Sequence, residues 1–546
     1  MIVMKVYFAL GATIFTAALL LLLNFTGCGH PLTQFQGDLP AVISVSPIDG
    51  ATDIETSATI HATFNNTMDP SSINSANFSL STSAGAIAGI VSYDATSKTA
   101  SFTPSSLLPS NETFTASLSA NIKDTAGNGL GSSYIWHFST AGLITVTGTP
   151  DTTFGTNGVV DYYIDSPIIF ADGADLGTER TNSIAFSSGK IILTGTRYDF
   201  IVGHSMSIWR FDKDGSLDKS FGSNGESNYS GKLGSTLSSF YSGSIDIDDN
   251  GRLLIAGESF IDEILGSSET NVVAWRYNTN GLIDGSFGTN GIVAISAETI
   301  GHTKIALNSA DNKINLMETI TTNLLNKTFI WRLSDNGIID QSFGTQGVSS
   351  FPASGEVFTL DSSGNIIVTG INGKDLIIRK FNSNGVLLNT FGNIGTAVYL
   401  NARGRAIALD SSGNILIAGT AGNNPAVWRY TSNGSLDPSF NNGGIYTYSK
   451  STGSAKAIML DNDGRIYFTG YLIAGNNCKM ILQRLNPDGS LDAGFGNNGE
   501  IISDLSTLPT AGQYRRIFAN SLALDSSGRI LVGGDFNGSM IIWRFK

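Results

Sequence analysis

Apolar and polar positions alternate with a period of two along most of this chain, the pattern of strands that bury one face. Between residues 40 and 141 the alternation is cut into short runs: "AVISVSP", "ATIHATFN", "GIVSYD", "TASFTP", "TFTASLSA" and "YIWHFST". Turn clusters such as "PIDGATD" and "KDTAGNG" separate them, supplying the Gly, Asn and Asp that tight turns require. So many short strands in so short a stretch predict an antiparallel sandwich. In the last run Trp136 and Phe138 share one face and His137 takes the other, so both aromatics are expected in the core.

Further along, the alternation itself repeats. The Arg of a Trp-Arg-Phe-like fragment recurs at Arg210, Arg276, Arg332, Arg429, Arg484 and Arg544, with Lys380 in register, at spacings of 48 to 66 residues. A Phe follows eleven residues later (Phe221, Phe287, Phe343, Phe391, Phe440, Phe495), and a Gly four beyond it. Each unit supports four strands: "SLALDSSGRILVGG" gives two joined by a turn, "MIIWRF" a third, and a "GSLDxSFGxxGxV" stretch the fourth. Arg544 has no Phe after it, yet "GTPDTTFGTNGVV" (148–160) carries that missing end ahead of the first full unit. A lone four-stranded sheet cannot bury its apolar faces, so neighbouring units must stack. Splitting one unit between the two ends makes sense if the stack closes on itself, because pairing the pieces removes an exposed edge. The expectation is an all-β chain: a sandwich, then a seven-bladed β-propeller closed by a three-plus-one strand arrangement.

Both regions resemble known families. The stretch containing "SPIDGATDI", "FNNTMDPSSI", "VSYDATSKTASFTPSS" and "NIKDTAGNGLGSSYIWHFST" resembles bacterial Ig-like domains, which implies a spacer or adhesin module with no motif-defined functional residues. The repeats resemble the delta-60 repeat family through "LDSSGRILVGG…WRFxxDGSLDxSFGxxG". That resemblance implies a bacterial propeller on exported proteins and no activity.

The start of the chain changes where all this is expected to sit. One Lys precedes an apolar run from Val6 to Leu23, followed by Phe25-Thr26-Gly27-Cys28, which resembles a bacterial lipoprotein signal. The resemblance implies cleavage before Cys28 and acylation of that residue, tying the protein to a membrane. Gly29 after the Cys implies an outer membrane or cell surface. An uncleaved anchor is the other reading of the apolar run. The domain reading is a signal peptide (1–27), a tether (28–39), an Ig-like domain (40–141), a linker (142–147) and the propeller (148–546), its last blade completed by 148–164.

Composition narrows the function classes. The net charge of −13 argues against nucleic acid, whose phosphates require clustered Lys and Arg. Two cysteines, Cys28 and Cys478, allow no disulfide framework. Five His form no metal-ligand spacing or nucleophile–base motif, so no catalytic, cofactor or metal residues are assigned. Asp-rich turns such as "DIDDNG" admit a Ca²⁺ reading, but "LDSSG" at the same repeat position demands a tight turn alone. In five units an Asp lies eight residues after the Arg, with Asp151 as the equivalent for Arg544, whereas Lys380 is followed by Leu388. The joint change predicts an Arg–carboxylate pair across a hairpin.

Loop lengths vary on one face of the expected ring, and the longest fall in neighbouring units seven, one and two. There Phe170, Tyr229, Phe240 and Phe260 are candidate anchors for a partner, since variable loops on a rigid scaffold are where binding resides. The functional expectation is an exported, lipid-anchored, monomeric binding or structural module for a protein or glycan. The alternative is a hydrolase or lyase with its site at the central channel.

Overall fold

The structure, a computed structural model, describes residues 39–54, 56, 58–142, 146–162, 179–199, 203–233, 236–261, 269–297, 303–322, 325–505, 516–537 and 539–546. Among these the helical content is one 3-10 turn, Pro70–Ser72, and no helix is long and apolar enough to cross a membrane.

The first region is a two-sheet sandwich. One sheet is ordered Val42–Ser46, Ile60–Phe64, Thr99–Pro104, Gly89–Asp94; the other is ordered Ala51–Ile54, Tyr134–Thr140, Thr113–Leu118, Phe78–Thr82, Gly85–Ala86. Alternation sends Phe78, Phe114, Trp136 and Phe138 inward, where Phe114 stacks on Phe138 at 5.2 Å and Phe78 meets Trp136 at 6.0 Å. Trp136 and Phe138 are buried and His137 is exposed, as the period-two pattern requires.

The described residues of the second region form seven antiparallel sheets, numbered 1 to 7 by first strand: Glu179–Ser187, Thr236–Ile247, Lys304–Asn308, Ser354–Leu360, Ala402–Leu409, Gly453–Leu460 and Ile517–Leu524. Each is a four-stranded meander, and sheet 2 carries an added edge strand, Gly231–Leu233. Sheets 1 to 6 take their fourth strand from the sequence that follows. Sheet 7 takes it from Val159–Tyr162, which pairs with Ser539–Phe545 in the register Val159↔Trp543 to Tyr162↔Met540.

Three separate features link each sheet to the next and the last to the first. The first strands contact one another in the order 1-2-3-4-5-6-7-1. An apolar cluster fills each of the seven spaces between consecutive sheets, including that between sheets 7 and 1, where Phe154, Leu531 and Ile542 meet Ile184, Leu193 and Trp209. A backbone hydrogen bond at one repeat position also crosses each space: Gly155 N to Asp214 O, Gly222 N to Asn280 O, Gly288 N to Asn336 O, Gly344 N to Asn384 O, Gly392 N to Asn433 O, Asn441 N to Asp488 O and Gly496 N to Thr147 O.

Candidate functional site

The repeated charged residues are structural. Each repeat Arg donates from Nε or Nη2 to the Asp eight residues on: Arg210–Asp218 at 2.8 Å, Arg276–Asp284 at 2.7 Å, Arg332–Asp340 at 3.0 Å, Arg429–Asp437 at 2.8 Å and Arg484–Asp492 at 2.7 Å. Arg544 meets Asp151 at 2.9 Å, with both side chains about 2% exposed. Each guanidinium also lies 4.5 to 4.9 Å from the centroid of its unit's Phe and donates to a carbonyl of the next sheet. In sheet 4, where Leu388 replaces the Asp, Lys380 turns to Asp361 at 2.9 Å. Charges neutralised in this way hold the sheets together and are not free for a ligand.

A second set of charges has no repeat logic. In six sheets the first strand carries a β-bulge at one fixed position, five residues before the Asp, Asn or Ser that opens the next turn. A bulge re-aims one side chain out of the pleat. The bulged residues are Asn182, Gly243, Glu356, Arg405, Lys456 and Asn520, and Thr303 holds the same place in sheet 3. Opposite the bulge most sheets have a Gly, because a Cβ there would lie 1.9 to 2.2 Å from a carbonyl oxygen of the first strand. Sheet 3 has Glu318 instead, and its strand pairing begins one step later at Lys304↔Met317.

The first strands meet one another, so this register gathers charges from five sheets. Glu318 is fully buried and accepts from the Thr303 hydroxyl, which also lies 3.3 Å from Glu258 Oε1. Burial, then the charge of Glu318, holds the Glu258 carboxyl well above the usual carboxylate range. Burial pulls the Lys304 amine down against the opposing pull of Glu356, Glu258 and Glu318. Arg403 donates to Glu356 from Nε at 2.8 Å and from Nη2, and Arg405 Nη1 lies 4.0 Å from the other oxygen of that carboxylate. Lys456, behind them, is brought down to about 8 by burial and then by Arg405, with Glu356 opposing. Sheets 2 to 4 thus contribute the carboxylates, and sheets 5 and 6 a cationic cluster facing one glutamate.

A cavity of about 540 Å³ opens over the cationic side, between sheets 4, 5 and 6. Its walls are the turns at Lys374 and Asn423, the sheet connections at Asn401 and Thr452, and the side chains of Arg403, Arg405 and Tyr471. Tyr471 stands edge-on to Phe518 at 5.2 Å and 5.8 Å from Lys456 Nζ. These charges are spread over five repeats, so no single motif in the sequence groups them. The legible signal was that the bulge position reads Glu, Arg and Lys in units four, five and six.

The residues singled out from sequence fare differently. Cys28 and Phe170 lie outside the described residues. Phe240 lies within the first strand of sheet 2, fully buried, where it packs edge-on to Tyr229 at 4.9 Å and to Trp275 at 6.0 Å. Tyr229 packs against the same cluster, half-buried, from the fourth strand of sheet 1, so both residues lie in strands between sheets and not in the loops where the sequence reading set them. Phe260 is half-buried, edge-on to Tyr241 at 5.3 Å. Cys478 is unpaired, and burial raises its thiol, which lowers its thiolate fraction.

Among the described residues no group of three or more His, Cys, Asp and Glu side chains is placed to hold a metal ion. The Asp-rich turns use their carboxylates internally: Asp248 accepts from the Asn250 and Arg252 amides at 3.0 and 2.8 Å, and Asp361 from Ser363 and Asn365 at 3.0 and 2.9 Å.

Residues 37–140 match the Bacterial Ig-like domain family. Residues 187–221, 411–440 and 462–495 match the Domain of unknown function (DUF5122) beta-propeller. No curated protein matches the chain. Similar solved structures include the N-terminal part of the bacterial S-layer protein SbsC (17% identity, 47% of this chain and 44% of that one, TM-score 0.19). A glucose dehydrogenase is similar at 12% identity, over 68% of this chain and 97% of that one, with a TM-score of 0.32. The polysaccharide lyase Uly1 is similar at 8% identity, over 74% and 97%, with a TM-score of 0.38. The chain spans less than half of the SbsC fragment, and likeness at these scores carries no argument about function. The described residues are all-β apart from one 3-10 turn, and the chain carries a bacterial Ig-like domain followed by a DUF5122 beta-propeller domain.

Proposed function

We propose that this protein is an exported, lipid-anchored module of the cell envelope whose propeller binds a protein or glycan. Cys28 carries the anchor, residues 28–39 form the tether, and the Ig-like domain (40–141) spaces the propeller from an outer membrane or cell surface. The seven sheets form a closed ring completed by residues 148–164. The cyclic order of first-strand contacts, apolar clusters and backbone links supports that closure. The observation carrying the binding role is the cavity between sheets 4, 5 and 6, where loops surround an incompletely neutralised charge cluster. Buried charge without full compensation is costly to a fold and marks functional sites. Incubating the purified Cys28→Ala full chain, which no acyl group can hold to a membrane, with envelope fractions tests the reading: retention on them is expected, and its absence at low and physiological salt would overturn it.

A second reading has its own support. Glu258, held protonated well above the usual range, and the depressed Lys456 amine are an acid and a base whose protonation is shifted toward neutrality. A hydrolase or lyase site where the first strands meet would use them. Turnover of envelope polysaccharides that disappears in Glu258→Gln would favour this reading, and no turnover by the parent would dismiss it.

A further inference from the structure

We propose that the cavity between sheets 4, 5 and 6 takes an anionic sugar ring, a uronate or sulfated residue of an acidic polysaccharide, held by Arg405, Arg403 and Lys374. The inference rests on the binding reading above and names its ligand class.

Charge supports the anionic part. The protein as a whole carries −13, yet this cavity is lined by three cations. Lys456 stands behind them, and Glu356 is the carboxylate that faces the two arginines. Arg403 holds Glu356 through two nitrogens, whereas Arg405 approaches it at 4.0 Å, and Arg405 Nε is buried with no hydrogen-bond partner. A guanidinium presents a planar fork suited to a carboxylate or sulfate, and here part of that fork is unused. An anion entering from the cavity would complete the coordination of Arg405 and relieve its repulsion with Arg403 and Lys456.

Shape and lining support the sugar part. About 540 Å³ falls in the range of small-molecule sites and exceeds what a bare oxyanion fills. The Tyr471 ring offers an apolar wall, while Asn423 and Thr452 on the rim offer an amide and a hydroxyl to ring hydroxyls. The loops on this side are short, so an internal residue of a polymer can enter.

Binding also takes up a proton. The groups facing Lys456 are Arg405, Arg403, Lys304, Glu356 and the Tyr471 ring, and in the free protein its amine sits at about 8. An added anion favours the charged amine, so affinity falls as pH rises through 8 and beyond.

The test is calorimetric titration of the full chain at low salt with a short oligogalacturonate, the same oligomer methyl-esterified, inorganic phosphate and an acidic peptide. The expected result is binding of the oligogalacturonate at least tenfold tighter than of the other three, with proton uptake at pH 8 seen by comparing two buffers. Arg405→Met is expected to weaken it at least tenfold and Lys374→Gln several-fold. Removing Arg405 relieves like-charge crowding, so Arg405→Met should melt no lower than the parent, and lost binding will not be lost folding. Equal binding of the methyl ester, phosphate or peptide would overturn the sugar-acid assignment, as would undiminished affinity in Arg405→Met. If, in the Cys28→Ala background, Arg405→Met still binds envelope fractions as the unsubstituted propeller does, this site is wrong and the broader binding role stands. If the parent binds no envelope fraction, the broader role fails by itself.

Discussion

On Arg332 several interactions meet. Its Nε donates to Asp340 at 3.0 Å, its Nη2 to the Ser342 hydroxyl at 3.2 Å and its Nη1 to the Ser383 carbonyl of sheet 4, while Phe343 packs under the guanidinium at 4.9 Å. Asp340 also accepts from Lys313 at 3.0 Å. Truncating either partner leaves the other charged and poorly solvated, so a double-mutant cycle on Arg332→Ala and Asp340→Ala should give a coupling of about 1–3 kcal/mol in denaturant unfolding. Additive losses would remove the pair from the account of stability. The Ser342 hydroxyl foremost, against desolvation, and then Lys313 and Arg332 hold the Asp340 carboxyl well below its ordinary value. In the unfolded chain that carboxyl takes up its proton first as pH falls. Its contribution is therefore complete above pH ~4 and is lost progressively below it. Asp340→Asn should melt lower than the parent at pH 7, and the two should converge toward pH 2; a constant gap across that range would contradict the assignment.

The recurring element is the bulged first strand facing a Gly. At Gly419 a Cβ would sit 1.9 Å from the Arg403 carbonyl oxygen, and the backbone angle there is ordinary, so the requirement is one of space. Gly419→Ala should cost about 1–3 kcal/mol of unfolding free energy and shift Arg403 in the cavity wall. A parent-like melting curve would mean the bulge can relax. The element scale is also where sequence reading did best and where it stopped. Strand alternation, the constant eleven residues from Arg to Phe, and the joint change at Lys380 and Leu388 follow from local chemistry that repeats, so they are legible in one dimension. The bulge is invisible to periodicity, because one inserted residue reads as a slip in the alternation. Phe240 shows the consequence: loop length alone makes it a loop aromatic, yet it belongs to a twelve-residue strand and is fully buried. The charges of Glu356, Arg405 and Lys456 are each an ordinary polar position of a strand, and only the meeting of first strands from different sheets brings them together.

At the scale of the whole molecule, the proposed closure has a consequence in covalent terms. Arg484 donates to the Val146 carbonyl as Arg544 does to that of Lys213, and Gly496 N meets Thr147 O as Gly155 N meets Asp214 O. Val146, Thr147 and Gly148 therefore occupy the places that Lys213, Asp214 and Gly215 occupy in the first unit. Joining Lys546 directly to Val146 would restore the unit's own spacing, with Asp151 eight and Phe154 eleven residues after Arg544. The ends are already close, since Thr149 N donates to Lys546 O and Lys546 N to Thr149 O, both at 2.9 Å. A permuted chain running 39–142, a flexible linker, 163–546 and then 146–162 should fold with one cooperative melt at the parent's midpoint. A chain lacking 146–162 altogether should lose that cooperativity and aggregate. It leaves Arg544 without Asp151, the space between sheets 7 and 1 without Phe154, and the Ser539–Phe545 strand as an open edge. In an open stack of sheets, relocating the segment would gain nothing and removing it would fray a single end. Equal behaviour of the permuted and truncated chains is therefore the result that would break the ring.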